Sequence, residues 1–383
     1  MTARTDAGLP WWKRALVTGA CVVGMGAVVP RTVVGREGEG LFDGERGVQA
    51  GLADAVAATV MGDVGPRAFH TGSARFDGEW ALTSNQFAAL GMAQVVGAHP
   101  ALRERYLPAL RRAADNLLRP ETRRFAQEAW GHDPLQHLDD DPGNAWLGYL
   151  ALGLGALREV DPGTSHAALH DRVVEALARR LEAAPEGILE TYPGEAYPCD
   201  IASVVGALGQ HARLTGRDRR ALIGRMGERF RGRFRDPDSG YLVQSLDPRT
   251  GRMVDGPRGS GTALAAYFLS FADPTLGREL GVSLLGTGYT EAVGFGGVRE
   301  FPRGATGRGD IDSGPVVLGV SVSATGFALA AARQTGDRAR YRGMYRTAAL
   351  FGVPVEHGAG WRFVTGGPLG NALLLAMLTA RVP

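Results

Sequence analysis

Lysine is almost absent from this chain. Lys13 is the only one, so nearly every cation is an arginine, a bias that records a GC-rich genome and carries no chemistry of its own. Cysteine is nearly as scarce. Cys21 and Cys199 are the two, and Cys21 falls in an N-terminal apolar run, which leaves neither a disulfide framework nor a cysteine-based structural zinc to the folded part. An excess of either charge sign is also missing: 42 basic and 40 acidic residues give a net charge of +2, which argues against a nucleic-acid partner. Apart from the N-terminal stretch there is no long unbroken apolar run, so a polytopic membrane protein is excluded. No phosphate-binding loop, no G-x-S-x-G and no G-x-G-x-x-G between a strand and a helix occurs, and no cofactor is expected. His132, Asp133 and His137 have loose metal-like spacing but no further Cys or His close by, and no metal site is expected.

What remains is an ordinary globular composition, with 44% hydrophobic and 21% charged residues over 383 positions. That length allows two or three domains or one large closed architecture. The 56 glycines, about twice the usual share, are spread along the whole chain, so they belong to the fold and not to linkers.

Arg4, Lys13 and Arg14 precede an apolar stretch from Ala15 to Val29, the order of a secretory signal or of a single membrane anchor. The stretch falls short of the roughly 20 residues that span a bilayer, and Trp11 and Trp12 extend it toward the interface. The sequence predicts an N-terminal signal or anchor with its linker over 1–40 and a working domain over 41–383 on the far side of the membrane. Contact with the membrane is expected through the N-terminal segment.

The main signal is an internal repeat. Apolar segments rich in Gly, Ala and Leu begin near Ser84, Asn144, Ile201, Ser260, Gly314 and Pro368, a spacing of roughly 55 to 60 residues. Segments such as 145–157 and 261–271 are apolar on every side, as helices buried all round must be. After each of the first five comes a helix with a charged face, over 101–118, 166–184, 217–234, 275–285 and 338–350, whose apolar residues recur at i, i+3, i+4 and i+7. The sixth partner is supplied by 47–61. Six buried and six amphipathic helices fit a closed ring in which small residues let the inner helices converge. An open solenoid is the rival, but it needs polar capping repeats at both ends, and the last inner helix has none. Strand-like alternation is confined to short hairpins such as 240–259, so the fold class is all-α.

This layout resembles the six-hairpin (α/α)6 toroid of many glycoside hydrolases, polysaccharide lyases and sugar epimerases, and of linalool dehydratase-isomerase. The resemblance spans about 45–383 and rests on architecture. The phrases ETYPGEAYPCD (190–200), PRGSGTALAAYFLSFAD (257–273) and GRGDIDSGPVVLGVSVSATGFALA (307–330) resemble a bacterial group of such toroids. It implies a carbohydrate-active enzyme, with a dehydratase on a small hydrophobic alcohol as a second enzyme reading. A glycan-binding envelope scaffold is the non-catalytic alternative.

In such a ring the loops leading into the inner helices open on one face, and polar chemistry collects there. Glu79 and Trp80, Asp139 to Asp141, Tyr192, Glu195, Tyr197, Cys199 and Asp200, Arg258, and Arg308, Asp310 and Asp312 all stand just before inner helices. Carboxylates, arginines and aromatics together suit a sugar. Each also has a plainer reading: Asp200 and Asp312 as helix caps, the 139–141 run as solvated charge, Cys199 as a small buried hydrophobe. The loop 190–200 is the leading site. The segment from Arg299 and Glu300 to Asp312 is second, and Asp140, Asp141, Asn144 and Trp146 are third, with Trp146 as a sugar platform or as core. Glycosidic cleavage needs a carboxylic acid and a carboxylate base or nucleophile. Asp200 or Glu195 is the expected acid, and Asp141 or Asp312 the base. Tyr192, Tyr197, Trp80, Trp146, Asp140, Asn144, Arg258, Glu300, Arg308 and Asp310 are the expected substrate-binding residues, with Arg258 or Arg308 facing a uronate if the reaction is lytic.

Overall fold

The computed structural model describes residues 35–139, 145–184 and 186–382, with a few positions before residue 35. Helices α1 (Gly35–Asp43) and α2 (Arg46–Met61) lead into α3 (Ala74–Ala98), then α4 (Arg103–Leu117) and a short α5 (Pro120–Trp130). The chain continues through α6 (Ala145–Val160), α7 (Ala167–Ala183), α8 (Pro198–Thr215), α9 (Arg220–Arg231), α10 (Gly259–Leu269), α11 (Pro274–Gly288), α12 (Val322–Gln334), α13 (Arg338–Gly352) and α14 (Gly367–Leu378). Each of α3, α6, α8, α10, α12 and α14 packs on the next, and α14 packs back on α3. The ring of inner helices is closed. The segment anticipated as the sixth partner is α2, which lies against both α14 and α3.

Local sequence explains the elements. Helix α8 starts with Pro198 at its first position and stops at Gly216, which takes the left-handed conformation (φ 74°), the usual start and stop residues. The outer helix α7 buries His170, Val173, Val174, Leu177, Ala178 and Leu181, a single stripe at helical spacing. Where inner helices meet, glycine is obligatory. A Cβ on Gly206 would overlap the Phe268 carbonyl, and one on Gly209 the backbone of Ala272, so α8 and α10 approach closely only because those side chains are absent.

Inner helices run away from one end of the ring, and outer helices return to it. The connections from outer to inner helices therefore share that end, the mouth, and carry the β structure. Strands β1 (Val243–Leu246) and β2 (Met253–Pro257) form one hairpin. Strands β3 (Tyr289–Ala292), β4 (Phe295–Arg299), β5 (Val316–Val317) and β6 (Val320–Ser321) form an antiparallel sheet in the order β3-β4-β6-β5. Strands β7 (Pro354–His357) and β8 (Gly360–Phe363) form the last hairpin.

Below the mouth the axis is filled. Phe87 of α3 stacks on Phe268 of α10 at 6.0 Å and lies 6.2 Å from Phe327 of α12, while Tyr149 of α6 meets Phe268 edge-on at 5.4 Å. These rings make an aromatic floor.

Three expectations shift. The first inner helix begins at Ala74, so Glu79 and Trp80 lie inside it and not ahead of it. The fifth begins at Val322, because 316–321 pairs as β5 and β6. Helix α5 was not foreseen; Pro120 opens it and Gly131 (φ 76°) closes it. No helix among the described residues is long and apolar enough to cross a membrane, and the apolar run 15–29 lies mostly outside them.

Candidate active site

The loop before α8 folds on itself. Glu195 donates its backbone N–H to the Tyr192 carbonyl at 2.9 Å, with Gly194 at φ 81°, the turn that a Pro-Gly pair at 193–194 favours. Ala196 bridges to Leu246 of β1, which straps the loop to the neighbouring hairpin. Tyr192 is thereby delivered to Glu79, to which its hydroxyl donates. Arg75, one turn before Glu79 on α3, lies 3.5 Å over the Tyr192 ring and donates from Nε to Glu79 Oε1 at 3.1 Å. Its terminal nitrogen is 3.8 Å from Glu195 Oε2, which also accepts from Tyr197 at 2.9 Å. Glu79 and Phe87 are eight residues apart on one helix face, which sets the carboxylate above the aromatic floor.

Asp200 sits in the first turn of α8, yet its side chain caps no backbone amide. Its two oxygens accept from side-chain hydroxyls instead: Tyr149 to Oδ1 at 3.0 Å and Thr191 to Oδ2 at 2.8 Å. The capping reading is therefore replaced by an oriented carboxyl group. Cys199 lies beside it, with Sγ 3.9 Å from Oδ1. Burial, followed by the charges of Asp200 and Asp312, pushes that thiol well above its usual range, so it stays a thiol.

Asp312 is not a cap either, since Ser321 caps α12. The loop that carries it is anchored at Asp310, which accepts from the Ser313 amide at 2.8 Å and from Arg258 at 3.0 Å. Arg258 is also 2.9 Å from Asp255 and 3.9 Å from the buried Glu300, while Ser260 donates to Glu300 at 2.6 Å. Arg258, Asp310 and Glu300 thus form a brace that presents Asp312. Despite its burial, hydrogen bonds from Ser313 and the Arg258 guanidinium hold Asp310 below the usual carboxylate range. Among the described residues no side chain donates to Asp312. It remains open to solvent although protein surrounds it on most sides, as fits a group on an inner wall.

Three carboxyl groups raise one another's proton affinity. Burial pushes Asp200 up to about 6 against the Thr191 and Tyr149 bonds, and Asp312 adds to the rise. Burial likewise lifts Asp312 to about 6, with the charges of Glu79 and Asp310 adding and those of Arg75 and Arg258 opposing. Glu79 is raised by burial, with Asp200 contributing, against the bonds from Tyr192 and Arg75. Desolvation with like charges nearby thus raises the proton affinity of all three groups above that of free carboxylates.

The other sequence candidates fall elsewhere. Trp80 packs edge-on against Phe69 at 5.9 Å in a small cluster with Val64, Ala81 and Leu369. Trp146 is 3% exposed, so its ring is core and no platform. Arg308 is exposed on the loop. Arg258 is mostly buried and pairs with Asp255 and Asp310, so it does not face outward as a free cation. Asp140, Asp141 and Asn144 lie outside the described residues. His132 and His137 stack at 4.2 Å, and the described residues contain no group of three or more ligands able to hold a metal. Glu79, which the sequence places among the polar residues of the mouth, completes the site together with Arg75, Tyr149 and Thr191, which the sequence does not single out. Tyr149 reads as core within AWLGYLALGL, and only its hydroxyl among aliphatic neighbours was a signal.

Comparison with known proteins agrees on the fold. A solved structure of a C. acetobutylicum ATCC 824 glycoside hydrolase from family 105 superimposes with a TM-score of 0.50 at 11% identity, covering 86% of this chain and 98% of that one. At that identity the likeness is one of architecture: the toroid is shared. No family model and no curated protein matches the chain in sequence.

Proposed function

We propose that the protein is an exported enzyme that cleaves a glycosidic bond by carboxylate acid–base chemistry at the mouth of the toroid. The observation that carries this reading is the group of Glu79, Asp200 and Asp312, with Glu79 held by Tyr192 and Arg75 and Asp200 held by Tyr149 and Thr191, and with Asp200 and Asp312 pushed up to about 6 by burial. They stand above an aromatic floor at the open end of a ring that a glycoside hydrolase shares. Strongly perturbed acids in a shared site mark catalysis more often than structure.

The local bonds support a division of roles. Asp200 accepts on both oxygens, so its bonds suit the ionised form, and it acts as base. Asp312 is exposed and has no side-chain donor among the described residues, so it acts as acid. This reverses the order that the sequence suggested. Asp312 passes its proton to the glycosidic oxygen as the C–O bond breaks. Asp200 takes a proton from the water whose oxygen bonds to the anomeric carbon, and solvent then removes that proton from Asp200 and returns one to Asp312. Glu195, Tyr197 and Arg75 supply acceptors and donors for sugar hydroxyls. The apolar run 15–29 supports export. Incubating the protein with a panel of oligosaccharides and counting new reducing ends tests the proposal. Cleavage that falls at least ~100-fold in Asp200→Asn and Asp312→Asn supports it, and undiminished cleavage in both variants removes it.

A further inference from the structure

Among the described residues, three other than glycine have positive φ: Val293 (53°), Leu318 (52°) and Val353 (52°). All are apolar, and 64, 93 and 47% of their surface faces solvent. Each occupies a place where Asn or Gly relieves the backbone. Val293–Gly294 joins β3 to β4 and Leu318–Gly319 joins β5 to β6, both as two-residue turns with two positive φ values, the geometry that favours Asn-Gly. Val353 closes α13 in the left-handed conformation, where glycine is usual. Backbone strain and exposed apolar surface thus coincide three times, and strain that persists at exposed turns points to a use for the side chains.

All three lie in outer-to-inner connections, so they share the mouth end. Phe351 (69% exposed), Leu350 and Val317 stand beside them. The β3–β4 turn is tied to α13, with Arg346 donating to Gly294 at 3.3 Å and Thr347 to Gly296 at 2.6 Å, while the β5–β6 turn stands at the other end of β4, where Val320 pairs with Arg299, so the apolar residues are spread along the rim of the mouth and not gathered in one patch. Helix α1 runs antiparallel to α13: Asp43 pairs with Arg338, Glu39 with Arg342, and Glu37 accepts from Tyr345. Gly35 therefore heads toward the end of α13 that carries Leu350 and Phe351. Only five residues of sequence separate Val29, the end of the apolar run, from Gly35, a reach of at most about 20 Å over the six steps.

We propose that this rim docks on a lipid bilayer, with Val293, Leu318, Val353 and Phe351 seated among headgroups and upper acyl chains and the mouth turned toward the membrane. An apolar run too short to span comfortably is a weak anchor, and a second apolar contact at the same end makes attachment stable. Exposed charges around the rim have both signs, Glu291 and Glu356 with Arg303 and Arg362, so binding is apolar and insensitive to salt. Where the glycosidic reading also holds, the saccharide acted on is one carried at a membrane surface.

Hydrogen–deuterium exchange of the full chain with and without phosphatidylcholine–phosphatidylglycerol vesicles tests the docking. Protection confined to 289–294, 316–322 and 350–356, with 161–166 at the opposite end unchanged, is the expected result. The triple variant V293N/L318N/V353N should partition into vesicles about tenfold less while melting no lower, because Asn relieves the strained turns. Equal protection at both ends, wild-type vesicle binding by the triple variant, or protection that arises without lipid as the protein dimerises would each overturn the proposal. Exchange and partition are read without reference to catalysis, so failure of either proposal is seen independently of the other.

Discussion

Replacing Asp200 by Asn should raise stability while abolishing turnover, and the gain should depend on pH. Folding moves this carboxyl from 3.8 to about 6, because burial makes its charge unfavourable. A folded value above the unfolded one means that the fold prefers the protonated form. The penalty is absent below about pH 3.8 and fully present above about pH 6, where it amounts to about 3 kcal/mol. Asparagine removes the charge but weakens one of the two hydroxyl bonds, a loss of about 1 kcal/mol. The net expectation is about 2 kcal/mol of added stability at pH 8 and a loss of roughly 0.5 kcal/mol at pH 4, where only the weakened bond remains, the former visible as a melting temperature roughly 2–4 °C higher. Differential scanning calorimetry at the two pH values, paired with a turnover assay, reads both effects. A variant that melts lower at pH 8, or that keeps its turnover, refutes the assignment of Asp200 as a functional and unfavourably buried charge.

Turnover should peak near pH 6, where one of Asp200 and Asp312 is protonated and the other ionised, and Asp312→Asn should flatten the alkaline limb of the kcat/KM profile. Cys199→Ser should keep turnover within about twofold, since the thiol remains protonated and stays out of the chemistry; a larger loss assigns the sulfur a role. Phe268→Ala removes the centre of the aromatic floor, is expected to destabilise the ring by about 3–5 kcal/mol, and is checked by denaturant titration.

The ring was legible because it is written in periodicity. Six Gly- and Ala-rich segments alternate with amphipathic ones, and segment 47–61 had to close the count because the last inner helix lacked a partner. The β insertions were partly hidden. Residues 316–321 look like the start of an apolar helix, and only pairing with β4 pulls them into a sheet. At the site, Asp200 and Asp312 stood out as carboxylates just ahead of apolar helices, but their roles as caps or acids depended on neighbours distant in sequence. Tyr149 is 51 residues from Asp200, and Tyr192 is 113 from Glu79. Trp146 misled for the same reason, since an aromatic beside a polar loop reads alike whether it faces a ligand or the core.

The most direct test of the account follows aspartate carboxyl carbons by NMR from pH 4 to 8, with and without a cleaved oligosaccharide or its product. Two signals with midpoints near 6, one lost in Asp200→Asn and one in Asp312→Asn, both moving when saccharide is added, are what the account predicts. Aspartates that all titrate near 4, or a raised pair that saccharide leaves unmoved, would contradict it.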